Sequence, residues 1–278
     1  MKLVKGIVAT THVDLHGDRM ALQALQGLAR QVGEHYLPVD VNHDPRYPPV
    51  GRVDSAEIIE LPDGEYAIQC TQEMFEEADS LESLNGDGRK IRIKDQNIQT
   101  IAVEYDRTFR DEKGEELLRE LSQISGEDEK PTQTLKKAVE PISTLLIAAG
   151  ICALGSIAVG FFTKLGSDFY DKLKNALISY YRDNNSSERL LDFCFVTQQN
   201  NSTFEIHVLV VNPTEQKLNE LFNSRFNEID TRLSSLPLID SDVAKIVFEY
   251  NNQKLLMLYA VRSDSVPVLW GSEVHFIE

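Results

Sequence analysis

Over the first seventy residues, the spacing of hydrophobic and polar positions is typical of strands in some segments and of a helix in another. Residues 3–10 form an apolar run that predicts a first strand. Over residues 18–37 apolar side chains recur every three or four positions, which predicts an amphipathic helix. Two strand-like segments, 53–61 and 65–71, flank Pro62-Asp63-Gly64 and predict a hairpin, because glycine tolerates the positive φ of such turns.

The middle of the chain is more polar. Residues 91–94 and 98–105 alternate in part, as half-buried strands do. Residues 111–134 are dominated by Glu, Lys, Ser and Gly, a composition that predicts a solvated linker or long loop.

An uncharged run, PISTLLIAAGICALGSIAVGFFT, lies between Glu140 and Lys164. As a helix rising about 1.5 Å per residue, it is long enough to cross a hydrocarbon layer of about 30 Å. This length and the absence of charge predict membrane insertion. The small residues Gly150, Gly155 and Gly160 suit close helix–helix contact, so within a membrane they would favour self-association. Two alternatives stay open: a helix buried in the protein core, or a strand at the start of the run.

The C-terminal pattern predicts a small ββαββ module. Strands are expected at 190–197 and 203–211, a helix over 213–234, and a final hairpin across Asn251-Asn252. His207 falls within the apolar segment FEIHVLVV and is interpreted as a partly buried sheet residue.

These elements divide the chain into three segments. Residues 1–140 form the first domain, residues 141–182 the apolar helix, and residues 187–278 the ββαββ module. The formal net charge of −16 argues against nucleic acid as a partner, because phosphate neutralisation requires clustered Lys and Arg.

The cysteines predict free thiols in a reducing compartment. There are three, Cys70, Cys152 and Cys194, widely spaced and without a C-x-x-C pair, so neither a metal site nor a cofactor is predicted. The N-terminus has no apolar core of signal-peptide length. We therefore expect a cytoplasmic protein, associated with the inner membrane if the apolar run inserts.

Four stretches in the first half, taken in order, resemble the tailed-phage prohead (capsid-maturation) serine protease family. The likeness covers about residues 3–145, with a weaker echo at residues 139–143. The four stretches are Val13-Asp14-Leu15-His16-Gly17-Asp18, Asn42-His43-Asp44-Pro45 with Pro49-Val50-Gly51-Arg52, the hairpin at Asp63-Gly64, and Ile101-Ala102-Val103-Glu104-Tyr105.

The resemblance implies an α+β fold whose first domain is a closed, mostly antiparallel β-barrel with flanking helices. It also implies a hydroxyl nucleophile beside an imidazole base, and His43 takes the place of the base. The family's serine strand can be aligned in two registers. One places Ala102 at the nucleophile, which would leave the domain inactive, and the other places Thr100 there.

The leading hypothesis is a binding or sensor protein. A catalytically degenerate protease-like domain would hold a protein or peptide ligand with His43, Asp44, Arg46 and Arg52, and would be coupled to the membrane-seeking helix. Such a protein would form homo-oligomers and act in phage defence. Two alternatives remain: an active serine or threonine protease that uses His43 and Thr100 on itself or a phage-type substrate, and a soluble assembly protein.

Overall fold

A computed structural model describes most of the chain. The described residues are 2–14, 17, 19–75, 86–94, 98, 100–125, 130–134, 142–153, 157–182, 188–199, 202–234, 242–251 and 253–268. The chain forms two compact units, one made of the residues up to Arg92 and those from Val261 onward, and the other running from Ile93 to Ala260.

The first unit contains a five-stranded sheet. Its strands are β1 (Lys2–Thr10), β2 (His35–Val39), β3 (Gly51–Glu60), β4 (Tyr66–Met74) and β5 (Lys90–Ile91). Their order is β1-β4-β3-β2-β5; the first three pairings are antiparallel and β2–β5 is parallel. The predicted hairpin between β3 and β4 is confirmed: Gly64 has φ +84° and donates its N–H to the carbonyl of Leu61 at 3.0 Å.

An amphipathic helix, α1 (Leu22–Glu34), contributes to the core of this unit. Its buried side chains Leu25 and Val32 lie seven residues apart, which is two helical turns, and therefore point the same way. They belong to one cluster with Val53 of β3 and with Ile68 and Cys70 of β4.

The other sheet is eight-stranded and mixed. Its strands are β6 (Ala102–Tyr105), β7 (Thr132–Gln133), β8 (Ser143–Ala153), β9 (Arg189–Gln199), β10 (Ser202–Val211), β11 (Val243–Asn251), β12 (Lys254–Arg262) and β13 (Pro267–Val268). Their order is β13-β12-β11-β10-β9-β8-β6-β7. The pairings β8–β9 and β10–β11 are parallel, whereas β6–β8 and β9–β10 are antiparallel.

Helices cover one face of this second sheet through an aromatic cluster. The helices are α2 (Glu112–Ser125), α3 (Ile157–Arg182), α4 (Glu215–Glu220) and α5 (Phe226–Ser234), and the π-helical turn Leu221–Arg225 joins α4 to α5. The rings of the cluster lie 5.2 to 6.1 Å apart, mostly edge to face. The cluster consists of Phe161, Phe193, Phe195, Phe222 and Phe226.

The predicted closed barrel over the first half is wrong. Within the described residues both sheets are open, and residues 102–105, expected to belong to the barrel, form β6 between β8 and β7 of the second sheet. The expectation failed because alternation along a strand specifies its two faces but not its neighbour, which is chosen by the whole fold.

The prediction of a single long apolar helix is also wrong. The run divides into strand β8 and the start of α3, and residues 154–156 between them lie outside the described residues. Successive residues of β8 are buried, Ile147, Ala148 and Ala149 among them, so the strand has buried side chains on both faces and lacks the alternation that would have revealed a strand. In the part of the chain that the structure describes, no helix is both long and apolar enough to cross a membrane.

The solvated linker predicted over residues 111–134 is replaced by helix α2 and strand β7. Leu117, Leu121 and Ile124 form a buried stripe at helical spacing within the otherwise polar segment. Asp111 caps the helix, because its carboxylate accepts the N–H of Gly114 at 2.7 Å. The sparse apolar positions were too few to stand out against the high charge.

The predicted C-terminal strands and helix are present, but they do not form a separate module. Strands β9 and β10 pair as an antiparallel hairpin, and the helical segment from α4 to α5 follows Pro213, with Thr214 as its N-cap. The structure adds a parallel pairing between β8 and β9. The segment that was expected to form a separate module is therefore one end of the continuous second sheet.

Candidate functional site

The predicted base, His43, lies in the turn after β2. Its side chain is exposed, and both it and Asn42 have left-handed backbone conformations, with φ of 55° and 53°. The next residue, Asp44, is buried and accepts hydrogen bonds from Arg46, two positions further on, including those from Nε to Oδ1 at 2.9 Å and from Nη2 to Oδ2 at 2.6 Å. Asp44 and Arg46 therefore satisfy each other within the turn.

The fourth predicted binding residue, Arg52, is a structural side chain of the first unit. It is buried and donates to Glu73 at 2.5 Å and to the carbonyl of Asp264 at 2.9 Å. Its guanidinium also lies 4.3 Å from the ring centroid of Tyr36, within the range of a cation–π contact. These contacts leave it poorly suited to binding a ligand.

The two candidate nucleophile positions lie at the start of the second sheet. Thr100 donates its hydroxyl to the carbonyl of Ser125 at 2.7 Å, at the C-terminal end of α2. Ala102 pairs with Ala148 of β8 and packs beside the buried cluster that contains Ile98. The Thr100 hydroxyl is thus directed at a helix end and not at an imidazole.

The three glycines expected to mediate self-association do not share a helix face. Gly150 is a buried residue of β8, Gly155 lies outside the described residues, and Gly160 is in α3. A Cβ atom added at Gly160 would lie 3.5 Å from the Cβ of Cys152, which is ordinary van der Waals contact, so Gly160 packs against β8 of its own chain.

A buried polar cluster lies on the face of the second sheet opposite the aromatic cluster. The register places Ala102, Ala148, Cys194, His207 and Val247 in one row across β6, β8, β9, β10 and β11. Because side chains alternate along a strand, residues two positions from this row share its face. Asp192 of β9 and Glu205 of β10 are such residues, and both are buried.

His207 is bound on both sides of its ring. Its Nδ1 lies 2.8 and 3.1 Å from the two carboxylate oxygens of Asp192, and its Nε2 lies 3.0 Å from Oε2 of Glu205. The thiol of Cys194 completes the group: its sulfur, a ring nitrogen of His207 and a carboxylate oxygen of Glu205 all lie within 4.8 Å of one another. Imidazole, thiol and carboxylate are thus brought together in the interior.

The segment before β6 contributes to this cluster. The backbone N–H of Lys94 donates to Oε1 of Glu205 at 2.6 Å, and its ammonium binds the carboxylate of Glu104 on β6. On the other side, Lys245 lies opposite Glu205 in the register of β10 and β11. The cluster therefore contains alternating positive and negative groups.

Burial and charge compete in setting the pKa values of the cluster. Burial disfavours the charged imidazole, but the opposing contributions, the largest of which is the charge of Asp192, together outweigh burial and hold the pKa of His207 well above its usual value. Burial likewise opposes ionisation of Glu205, yet its hydrogen bond to His207 and the charge there lower the pKa of Glu205 to about 2. Burial raises the pKa of the Cys194 thiol.

The sequence pattern alone does not connect these residues. His207, expected to be a partly buried sheet residue, is fully buried between two carboxylates. The available signal was a pair of ionisable residues at i and i+2 within each of two apolar strands: Asp192 with Cys194, and Glu205 with His207. Residues at that spacing share a face, and two adjacent strands bring both pairs together.

A second unusual feature of the molecule is the edge strand β1. It is the last strand of the five-stranded sheet in the described residues, and most of its positions are exposed. Leu3 and Ile7 are 63% and 50% exposed, and Val4 and Val8 are also exposed. An apolar edge strand with an open side is a recognised site for adding another strand.

In comparisons with known proteins, no family model, curated protein or solved structure matches the chain.

Proposed function

We propose that this chain is a binding protein that captures an extended segment of a partner protein by β-strand addition along β1. The observation that carries the proposal is a nine-residue edge strand with exposed apolar side chains on both of its faces. A strand at an edge offers unpaired backbone N–H and C=O groups, which supply affinity, while alternate side chains supply specificity.

The strand is only partly protected against pairing with another strand. Natural edge strands are usually short, bulged, or marked by proline or by charged side chains, especially lysine. β1 has a register irregularity between Ile7 and Ala9, near its C-terminal end, and Lys5 is held by Glu57 of β3 at 2.7 Å. The segment Lys2–Ile7 therefore keeps a regular edge on which a partner strand can pair.

The charge of β1 indicates the chemistry of the partner. The strand KLVKGIVAT contains Lys2 and Lys5 and no acidic residue, in a chain of net charge −16. An extended segment with alternating apolar residues and at least one acidic residue would complement this edge, because opposite charges on paired strands attract. The net negative charge of the whole molecule would repel an acidic segment from the rest of the surface.

A binding role also accords with the geometry around the protease-like motifs. The hydroxyl of Thr100 is committed to Ser125, and Ala102 has no nucleophile. His43 is exposed on a turn of the first unit, whereas Thr100 belongs to the second. In keeping with the sequence resemblance, we propose that the captured segment comes from a phage-type protein and that recognition takes place in the cytoplasm.

The test is a selection of displayed extended peptides on the full chain. Selected peptides should bind the wild type at least tenfold more tightly than the Ile7→Lys variant, a difference of about 1.4 kcal/mol. The matched control is Leu256→Lys, which adds the same charge at an exposed apolar residue of β12 and should leave affinity unchanged. Equal loss in both variants, or none in either, would refute the proposal.

Homo-oligomerisation is a separate outcome of the same experiment. If a second copy of the chain occupies β1, the wild type should sediment as a dimer and Ile7→Lys as a monomer without any peptide. That result would replace the partner-segment proposal by self-pairing of β1.

A further inference from the structure

The buried cluster on β9 and β10 has the composition of a transition-metal site. Cys194, Glu205 and His207 offer one sulfur, one oxygen and one nitrogen within 4.8 Å of one another, all from buried side chains. Thiolate, imidazole and carboxylate are the ligand types that Zn²⁺ uses in proteins. We propose that these three residues bind one Zn²⁺ ion, a role outside the binding function proposed for β1.

The position of His207 agrees with metal ligation. Its Nδ1 is held by both oxygens of Asp192, which leaves Nε2 facing Glu205. Metal-bound histidines almost always have their other ring nitrogen hydrogen-bonded in this way, because the second partner fixes both the ring orientation and the tautomer. Asp192 is therefore a positioning residue and not a ligand.

The separation of the nitrogen and oxygen ligands is close to that of a tetrahedral site. Zinc bonds of about 2.0 to 2.1 Å to nitrogen and oxygen place these two atoms roughly 3.3 Å apart. In the structure Nε2 of His207 and Oε2 of Glu205 are 3.0 Å apart. An ion therefore fits with little movement of these two groups, and the sulfur of Cys194 moves toward it.

Metal ligands bind in their deprotonated forms, so Zn²⁺ would displace the thiol proton of Cys194 and the Nε2 proton of His207 into solvent. The contact between Nδ1 of His207 and Asp192 would be kept.

The burial of the donors assigns the ion a structural role. All three ligand side chains are shut off from solvent on two adjacent central strands. Zinc is almost always four-coordinate, so a water molecule would complete the three protein ligands. A catalytic zinc needs that fourth position open to substrate, and the burial of this site would close it. Here the ion would tie β9 to β10, and Lys94 would fix the covering segment through its N–H to Glu205.

The experiment uses the full chain produced with added zinc, and measures bound metal by mass spectrometry after exhaustive dialysis. Wild type should retain about one zinc per chain, and Cys194→Ala at least about tenfold less. The matched control is Cys70→Ala, a buried thiol of the first unit that should not change zinc content. Cobalt substitution should give a thiolate-to-metal charge-transfer band in wild type and in Cys70→Ala only.

A milder variant keeps the test valid if Cys194→Ala does not fold. Asp192→Asn retains the size of the side chain and should weaken zinc affinity about 10- to 100-fold in competition with a chelator. The proposal is overturned if wild type shows no charge-transfer band, if Cys194→Ala retains as much zinc as wild type, or if nitrogen NMR of zinc-supplied protein finds both ring nitrogens of His207 protonated.

Discussion

Proteins usually bury apolar side chains and expose charged ones, and strands β1 and β10 depart from this pattern in opposite ways. β1 lies at a sheet edge and exposes apolar residues such as Leu3 and Ile7, whereas β10 lies inside a sheet and buries Glu205 and His207. Exposed apolar patches and buried charges are the informative exceptions in a folded protein, since both carry a free-energy cost. The contrast indicates that one strand is shaped for contact with another molecule and the other for an internal charged site.

The two sheets also differ in how their interiors are held. The second has an aromatic cluster on one face of β9 and the charged cluster on the other. The first has a smaller apolar core against α1 and one buried ion pair, Arg52 with Glu73. Substitutions in the two sheets should therefore lower the free energy of unfolding by different amounts.

Phe226→Ala should give the largest loss of stability. This side chain is 1% exposed and contacts the rings of Phe161, Phe193, Phe195 and Phe222. Its removal should lower the free energy of unfolding by about 3–5 kcal/mol, measured by urea denaturation. A loss under about 1 kcal/mol would contradict the packing of the helices on β9.

Arg52→Ala should cost about 3 kcal/mol in the first unit, because it leaves Glu73 buried without its partner. The matched control is Lys5→Ala, which breaks the exposed pair with Glu57 on the same sheet. Exposed pairs contribute at most about 1 kcal/mol. Urea denaturation of both variants checks the difference, and equal losses would show that burial of the Arg52 pair has no consequence.

Gly64→Ala should cost roughly 1–2 kcal/mol, because alanine is disfavoured at the φ of +84° that the β3–β4 turn requires. Gly27→Ala in α1 is the control with the opposite sign. A Cβ atom there meets nothing within 4 Å, and alanine in a helix is favoured over glycine by about 0.5–1 kcal/mol. Thermal melting of both variants should shift in opposite directions.

His43→Ala should have the smallest effect of these substitutions, because we expect it to leave the chain as intact as wild type. Purified wild type and His43→Ala should both remain intact on prolonged incubation, analysed by intact-mass spectrometry, because the Thr100 hydroxyl is bound to Ser125. Self-cleavage in wild type that is lost in the variant would revive the protease alternative and sink the proposal of a non-catalytic binding protein.

The sequence predicts local structure best where one face of an element is buried. The hairpin at Gly64 and the stripe of α1 followed from turn chemistry and from helical periodicity. The strand β8 did not, because a strand buried on both faces reads as a continuous apolar run and cannot be told from a helix by periodicity.

The candidate sites were less predictable than the local structure. Cys194 and His207 are thirteen positions apart, and their proximity depends on the register of β9 with β10, in which they are direct partners. The exposed edge at β1 depends on which strand ends the sheet. Neither property is contained in local periodicity, because strand pairing is decided by packing across the fold.

Amide hydrogen exchange of β1 tests the central claim most directly. The full chain should be compared with and without a selected acidic, apolar peptide at saturating concentration. Our account predicts slower exchange for amides within Lys2–Val8 in the presence of the peptide, and no change in β10, whose amides already belong to the interior of a sheet. Unchanged exchange along β1, with protection appearing elsewhere on the chain, would contradict it.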